Sequence, residues 1–250
     1  MKPTFLQYEK PLITAMVQAN DPARIMELMD NAKRQGAEAF GMQFERLPAA
    51  YRTQNTYKTL FTHADGLPVY VTNYRMLQNE GKSDDTLGKE LIELATCGAT
   101  LCDVMADYYD PQPGELTMDE TAVHKQMQLI DDLHQAGAEV LMSSHVHRFL
   151  SAEQAAELAA EHQKRGADIA KIVVRADTMA QQIENLRIID LLKQTLSIPF
   201  LFLCGGECRL LRRIGGQLGC CMYLCVSEYD DCATPVQPLI EDVKTIRDLI

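Results

Sequence analysis

The sequence lacks an excess of positive charge. Its 24 Lys and Arg stand against 35 Asp and Glu, a formal net charge of −11. Nucleic acids and anionic membrane surfaces are held by basic patches, so neither is expected as a partner. No run approaches the roughly 18 apolar residues of a membrane-spanning helix. The opening stretch MKPTFLQYEKPLITAMV has a proline and a charged pair ahead of its first apolar run, and no signal-peptide hydrophobic region. A cytoplasmic protein is expected. Zinc-site spacing is also missing. Of the eight cysteines, Cys97, Cys102, Cys204, Cys208, Cys220, Cys221, Cys225 and Cys232, the pairs Cys204/Cys208 and Cys221/Cys225 do not have the CxxC interval. They read as reduced thiols packed like small hydrophobes. No metal is expected.

There is no linker, low-complexity segment or repeat to divide the chain. With 250 residues and 46% apolar content it can bury one sizeable core. A pattern of alternation is present instead. Strand-like runs fall at 12–17, 38–44, 68–73, 101–105, 139–144, 168–174, 199–204 and 220–226. Between them lie amphipathic runs near 21–37, 50–62, 84–97, 118–136, 151–167, 178–195, 208–218 and 236–249. Asp21 caps the first of these, with Pro22 at its first position and Gly36 at its end; Ser151 caps the fifth. Strands alternating with helices imply a parallel sheet, and eight units in one chain imply a single (β/α)8 barrel over residues 1–250. A doubly wound open sheet is the alternative.

In such a barrel, chemistry gathers at the C-terminal ends of the strands. The polar residues there are Gln43 and Glu45, then Asn73, Arg75, Asn79 and Glu80, then Asp103 and Asp107. After these come His145 and His147, Lys171, Glu207 and Arg212, and Gln237. Lys171 stands inside strand six, on one face with Ile169 and Val173. A lysine is seldom buried without a partner or a task. It either pairs with an acid such as Asp103, snorkels outward, or serves as the amine of a Schiff base. His145, just past the neighbouring strand, is placed to move protons beside it, with His147 as the competing candidate. Gly205–Gly206 and Arg209, Arg212 and Arg213 follow strand seven. An arginine at the mouth of so acidic a protein suits a substrate carboxylate.

MSSHVHRF, then ADIAKIVV, then the glycine–arginine stretch and the late ATPVQP together resemble type I 3-dehydroquinate dehydratase. That family is a (β/α)8-barrel Schiff-base enzyme of the shikimate pathway. The family's Ser-x-His ending strand five falls on Ser143–His145, and its imine lysine, in an Ala-Asp-x-x-Lys-like context, on Lys171. Its glycine pattern after strand seven falls on Gly205, Gly215 and Gly219, and its carboxylate-binding arginine on Arg212. Its late loop keeps Pro235 and Gln237. Its Thr-x-Arg after strand three is matched by Thr72-x-x-Arg75, with one residue extra. In place of the family's Glu-x-Arg-x-Asp after strand two stands GMQFE, with Gly41 and Gln43 where the charged pair belongs. Asn79 or Glu80 stands for the glutamate that orients the histidine, and Glu80 is the carboxylate of the two.

The resemblance implies a hydro-lyase that converts 3-dehydroquinate to 3-dehydroshikimate through a covalent imine, with no cofactor. Lys171, His145 and Glu80 are its expected catalytic residues. Arg75, Arg212, Gln237 and Gln43 are its expected substrate contacts, and a homodimer is its expected assembly. The changed pair at Gly41 and Gln43 motivates an alternative, the same lysine and histidine acting on another small oxo acid. A barrel that binds such a metabolite without turnover is a further alternative.

Overall fold

A computed structural model describes residues 3–7 and 9–249 of the chain; Met1, Lys2, Tyr8 and Ile250 of the expected domain lie outside the described residues. Strands and helices alternate in the expected order. They are β1 (Leu12–Val17), α1 (Pro22–Gln35), β2 (Ala39–Gln43), α2 (Gln54–His63), β3 (Val69–Thr72), α3 (Asp84–Cys97), β4 (Leu101–Met105) and α4 (Glu120–Gln135). The second half is β5 (Glu139–His145), α5 (Ala152–Lys164), β6 (Ile169–Arg175), α6 (Met179–Thr195), β7 (Phe200–Gly205), α7 (Leu211–Leu218), β8 (Met222–Cys225) and α8 (Ile240–Leu249).

Local chemistry sets these limits. Asp21 caps α1 through the Ala23 amide, Pro22 occupies its first turn, and Gly36 ends it at φ 95°. Ser151 and Gln154 form a reciprocal capping box on α5, and Thr178 and Gln181 form one on α6. The helices after β2, β7 and β8 start later than expected. In the first case the chain spends residues 44–51 on two short 3-10 turns.

The strands form one parallel sheet in the order β7-β6-β5-β4-β3-β2-β1-β8. β1 pairs with β8 from Leu12↔Met222 to Ala15↔Cys225. At the remaining seam the Cys221 amide donates to the Phe200 carbonyl at 2.9 Å, bringing β8 against β7. The sheet is a near-closed (β/α)8 barrel, not an open doubly wound sheet. Among the described residues no helix is long and apolar enough to cross a membrane.

Parity along the strands divides the core. Ile13, Ala15, Val17, Phe40, Met42, Val69, Val71, Cys102 and Val104 face outward beneath the helices. Leu12, Met16, Ala39, Tyr70, Leu101, Leu141, Ile169, Leu201, Met222 and Leu224 fill the interior, in a cluster that continues beneath α5 and α6. All eight cysteines are free thiols, and six of them are buried.

α7 lies close against the seam because Gly216 has no side chain. A Cβ there would stand 2.4 Å from Cζ of the buried Tyr223 on β8. Gly216→Ala is therefore expected to push α7 off β8 and to cost about 1–3 kcal/mol. Denaturant unfolding of the variant against the parent checks this.

Candidate active site

Lys171 points into the barrel. β6 is paired on both sides, Ser143↔Lys171 with β5 and Lys171↔Leu201 with β7, so its interior face is fixed. The side chain is 5% exposed, and Nζ reaches Asp103 Oδ2 at 3.1 Å. The same nitrogen donates to the hydroxyls of Tyr70 at 3.0 Å and Tyr74 at 2.7 Å. Asp103 accepts in turn from Tyr74 at 2.6 Å, from Ser143 at 2.5 Å and from Tyr70. Burial alone would push the Asp103 carboxyl up. The Lys171 ammonium and the three hydroxyls outweigh that and hold it below the usual range. Burial beside Asp103 lifts both tyrosines well above their ordinary value, so they remain neutral hydroxyls. Of the readings left open by the sequence, pairing with Asp103 is observed and outward snorkelling is excluded.

His145, at the end of β5, faces the same space. Its Nδ1 lies 2.7 Å from Glu115 Oε2, and the same oxygen accepts the His145 amide at 2.8 Å. A carboxylate that takes the Nδ1 proton leaves Nε2 as the nitrogen free to work. Burial would raise the Glu115 carboxyl, but its bonds to His145 bring it below the usual range. The Tyr74 ring packs edge-on against the imidazole at 5.3 Å.

A cavity of about 150 Å³ is lined by Lys171, His145, Tyr70, Tyr74, Gln43, Arg212, Thr234 and Gln237, with Met16, Val173, Leu203 and Leu224 as its apolar walls. Arg212 enters from the first turn of α7, with Nε donating to the Cys204 carbonyl at 2.8 Å. It is 8% exposed, and among the described residues no carboxylate pairs with it. Burial lowers the guanidinium to about 10. An unpaired buried cation aimed into a cavity is a receptor for an anion. Gln237 is also buried, and its Oε1 has no partner. Beside it, Gln18 Nε2 donates to Gln43 Oε1 at 2.8 Å and to Thr234 Oγ1 at 2.9 Å, tying the loop after β8 to β1 and β2.

The cavity brings together five of the seven expected residues: Lys171, His145, Arg212, Gln237 and Gln43. Two expectations are corrected. Glu80 is exposed, and among the described residues its side chain has no partner; the carboxylate on His145 comes from Glu115, in the loop between β4 and α4. Arg75 is absent from the cavity wall because its guanidinium is spent. It grips Asp84 at 2.7 and 2.8 Å, and Asp107 at 2.8 Å through the carboxylate and again through the carbonyl. Tyr74, two residues past Thr72, stands where Thr-x-Arg without an extra residue would put the arginine. Asn79 is buried and braces that loop, donating to the Tyr74 carbonyl at 2.8 Å. His147 lies outside, exposed at φ 54°, and lines only an adjoining outer cavity with Arg75 and Glu115.

Tyr70 was legible in the sequence by strand parity. Glu115 and Gln18 carried no periodic signal, since both stand beyond strand ends. Gly41 has a physical reason: a Cβ there would meet Met16 Sδ at 2.2 Å. The Met16 side chain fills the room that a charged residue would need. Glu45, the acid that ends GMQFE, is 1% exposed and accepts the Thr72 hydroxyl at 2.9 Å.

A model of the type I 3-dehydroquinase family matches residues 13–250. The chain belongs to that family. A search of curated protein sequences gave no match. Among solved structures, the chain is similar to 3-dehydroquinate dehydratase from Geobacillus kaustophilus HTA426, at 17% identity and a TM-score of 0.82, covering 98% of this chain and 92% of that one. It is similar to a type I 3-dehydroquinate dehydratase from Clostridium difficile at 15% identity and a TM-score of 0.79, covering 98% and 94%. A deoxyribose phosphate aldolase from Aeropyrum pernix matches at 14% identity and a TM-score of 0.59, covering 96% and 91%. At these identities the structural likenesses establish the fold.

The site generates two predictions. Burial pushes the Glu45 carboxyl up from 4.5 to about 7. A carboxyl raised on folding binds its proton more tightly in the folded state, so the stability it leaves intact below pH 4.5 falls as the pH rises towards 7. Glu45→Gln is expected to flatten that slope in denaturant midpoints measured across this window. If the cavity turns over an oxo acid, Glu115→Gln is expected to lower that turnover by about 10²-fold, because His145 loses the carboxylate that orients it, while Glu80→Gln leaves it unchanged. Steady-state rates on an oxo acid that traps at Lys171 check both.

Proposed function

We propose that this protein is a Schiff-base hydro-lyase acting on a β-hydroxy oxo acid, and that its substrate is 3-dehydroquinate, which it converts to 3-dehydroshikimate. The observation that carries this reading is one cavity lined by an amine, an imidazole oriented by a carboxylate, and an unpaired guanidinium. Membership of the 3-dehydroquinase family supports the choice of substrate.

Arg212 takes the substrate carboxylate, with the Gln237 amide beside it. Lys171 must give up one proton before its nitrogen can attack. Tyr74 bonds both Lys171 Nζ and Asp103, so it can accept that proton while passing its own to Asp103. The nitrogen adds to the ketone carbon. The same chain run backwards protonates the resulting hydroxyl, which leaves as water and yields the iminium. The iminium draws electrons from the neighbouring C–H bond, and His145 Nε2 removes that proton. The enamine then expels the β-hydroxyl, which departs as water with the proton that His145 took. Hydrolysis of the remaining imine returns the first water and frees Lys171, so one water is lost overall.

A second reading rests on the filled position at Gly41 and the neutralised Arg75. A ring bearing several hydroxyls loses contacts that a smaller oxo acid would not miss, and sites built around hydroxyls discriminate strongly when a partner is missing.

Borohydride reduction of the protein with 3-dehydroquinate, read by intact and peptide mass, tests both. A stable adduct on Lys171, absent from Lys171→Ala, is expected. An adduct formed with smaller keto acids but not with 3-dehydroquinate would shift the assignment to the second reading. No adduct with any carbonyl acid would remove the Schiff-base function.

A further inference from the structure

Among the buried titratable groups that the mechanism does not use is a histidine behind the active-site strand. His162, on α5, is fully buried outside the barrel wall. Its Nε2 lies 2.9 Å from Ser144 Oγ, and its Nδ1 has no partner. Ser144 sits between Ser143 and His145 on β5. Those two face the interior, so Ser144 faces the helices. Its hydroxyl donates to the backbone carbonyl of Glu115 at 2.6 Å.

Proton accounting fixes the histidine. A carbonyl only accepts, so the single Ser144 proton is committed to Glu115. The contact with His162 then requires Nε2–H as donor and the serine oxygen as acceptor. Nδ1 is left bare, and it is the ring nitrogen that lacks a partner. The ring is neutral: burial, together with the Arg165 guanidinium nearby, lowers it to about 3.

Glu115 is held from two sides. Its carboxylate bonds His145, and its carbonyl is gripped from beneath by Ser144. The residue adopts φ 52°, a conformation that a side-chain-bearing residue keeps only where its surroundings impose it. Two residues on, Arg165 Nη2 donates to the Thr117 carbonyl at 2.7 Å, and Nη1 donates to the Ala106 carbonyl at 3.0 Å. The loop from β4 to α4 is therefore fastened at both ends of the segment that carries Glu115.

We propose that Ser144 and His162 are positioning residues, which hold the Glu115 backbone from outside the barrel so that its carboxylate meets His145 inside. This rests on the Schiff-base reading for its consequence in turnover, but not for its geometry. The His145 amide donates to Glu115 Oε2, so its hydrogen exchange reports the docking of that carboxylate without any substrate.

The experiment compares Ser144→Ala, His162→Leu and His162→Gln with the parent. Nitrogen NMR of the parent is expected to place the His162 proton on Nε2. In Ser144→Ala and His162→Leu the His145 amide is expected to exchange about tenfold faster or more, the loss of one hydrogen bond to a charged acceptor. Turnover is expected to fall about 10–100-fold with KM and the borohydride adduct on Lys171 unchanged. His162→Gln, which keeps an N–H donor towards Ser144, is expected to restore both. A proton on Nδ1 would overturn the proposal. So would an unchanged His145 amide in Ser144→Ala, or a glutamine variant as impaired as the leucine one. If His162→Leu fails to fold, the tautomer and the Ser144→Ala exchange still decide. If the parent forms no adduct with any oxo acid, the functional reading fails while exchange and tautomer still judge the positioning.

Discussion

A lysine and an aspartate buried together inside a barrel constrain nearly everything around them. Removing either charge from water costs several kcal/mol unless the partner and its hydrogen bonds restore it. Lys171 and Asp103 meet at 3.1 Å, and two tyrosines and a serine complete the shell. The shell draws on four strand regions: Tyr70 in β3 with Tyr74 just beyond it, Asp103 in β4, Ser143 in β5 and Lys171 in β6. That holds only in the observed stagger, with Asp103 beside Leu141 and Ser143 beside Lys171. A slip by one residue would turn Lys171 towards the helices and leave Asp103 alone in the core. The pair thus ties the register of the barrel to the chemistry at its centre.

What the sequence made legible follows from period. Strands repeat every two residues, so the inward parity of Lys171 could be read from ADIAKIVV, and His145 from its place beside Ser143. The loops have no period. Glu115 lies ten residues past the end of β4, and nothing in PGELT distinguishes it from a solvated acid. Arg75 failed for a different reason. The resemblance makes it a substrate contact, yet its partners are Asp84, from the first turn of α3, and Asp107, from the loop after β4. Only the fold brings those acids together. Arg212 lines the cavity because strand seven leads directly to it, and no acid among the described residues reaches it.

The charges of the site are therefore sparse. Arg75 is neutralised, Lys171 is balanced by Asp103, and the Glu115 carboxylate is engaged by the ring and amide of His145. Arg212 remains as the cation without a counter-charge in the cavity. That arithmetic fits a substrate carrying one carboxylate. Around it the polar groups are the neutral amides and hydroxyl of Gln43, Thr234 and Gln237, and Gln18 crosslinks Thr234, in the loop after β8, to Gln43 at the end of β2. Met16 occupies the space beside Gly41. This half of the cavity offers shape and neutral hydrogen bonds, whereas the opposite half holds the charges.

Tyr74 is where the two halves join. Its hydroxyl touches the amine and the carboxylate, and its ring flanks the imidazole. An arginine at that position would bring a second cation to the single carboxylate of Asp103 and would compete with Lys171 for it. A tyrosine leaves the pair balanced and adds a group that both accepts and donates. The cation that the family's motif would place at the substrate has moved one residue along, to Arg75, and has been taken up by Asp84 and Asp107. In the proposed function, substrate charge is then left to Arg212 on the far side of the cavity. Under that function the tyrosine gives the amine a hydroxyl through which to exchange its proton and, by the same step, removes an arginine from the substrate. In the proposed mechanism one side chain joins the two effects, while Tyr70, which also bonds both Lys171 and Asp103, offers the amine a second proton route that leaves the substrate contacts alone.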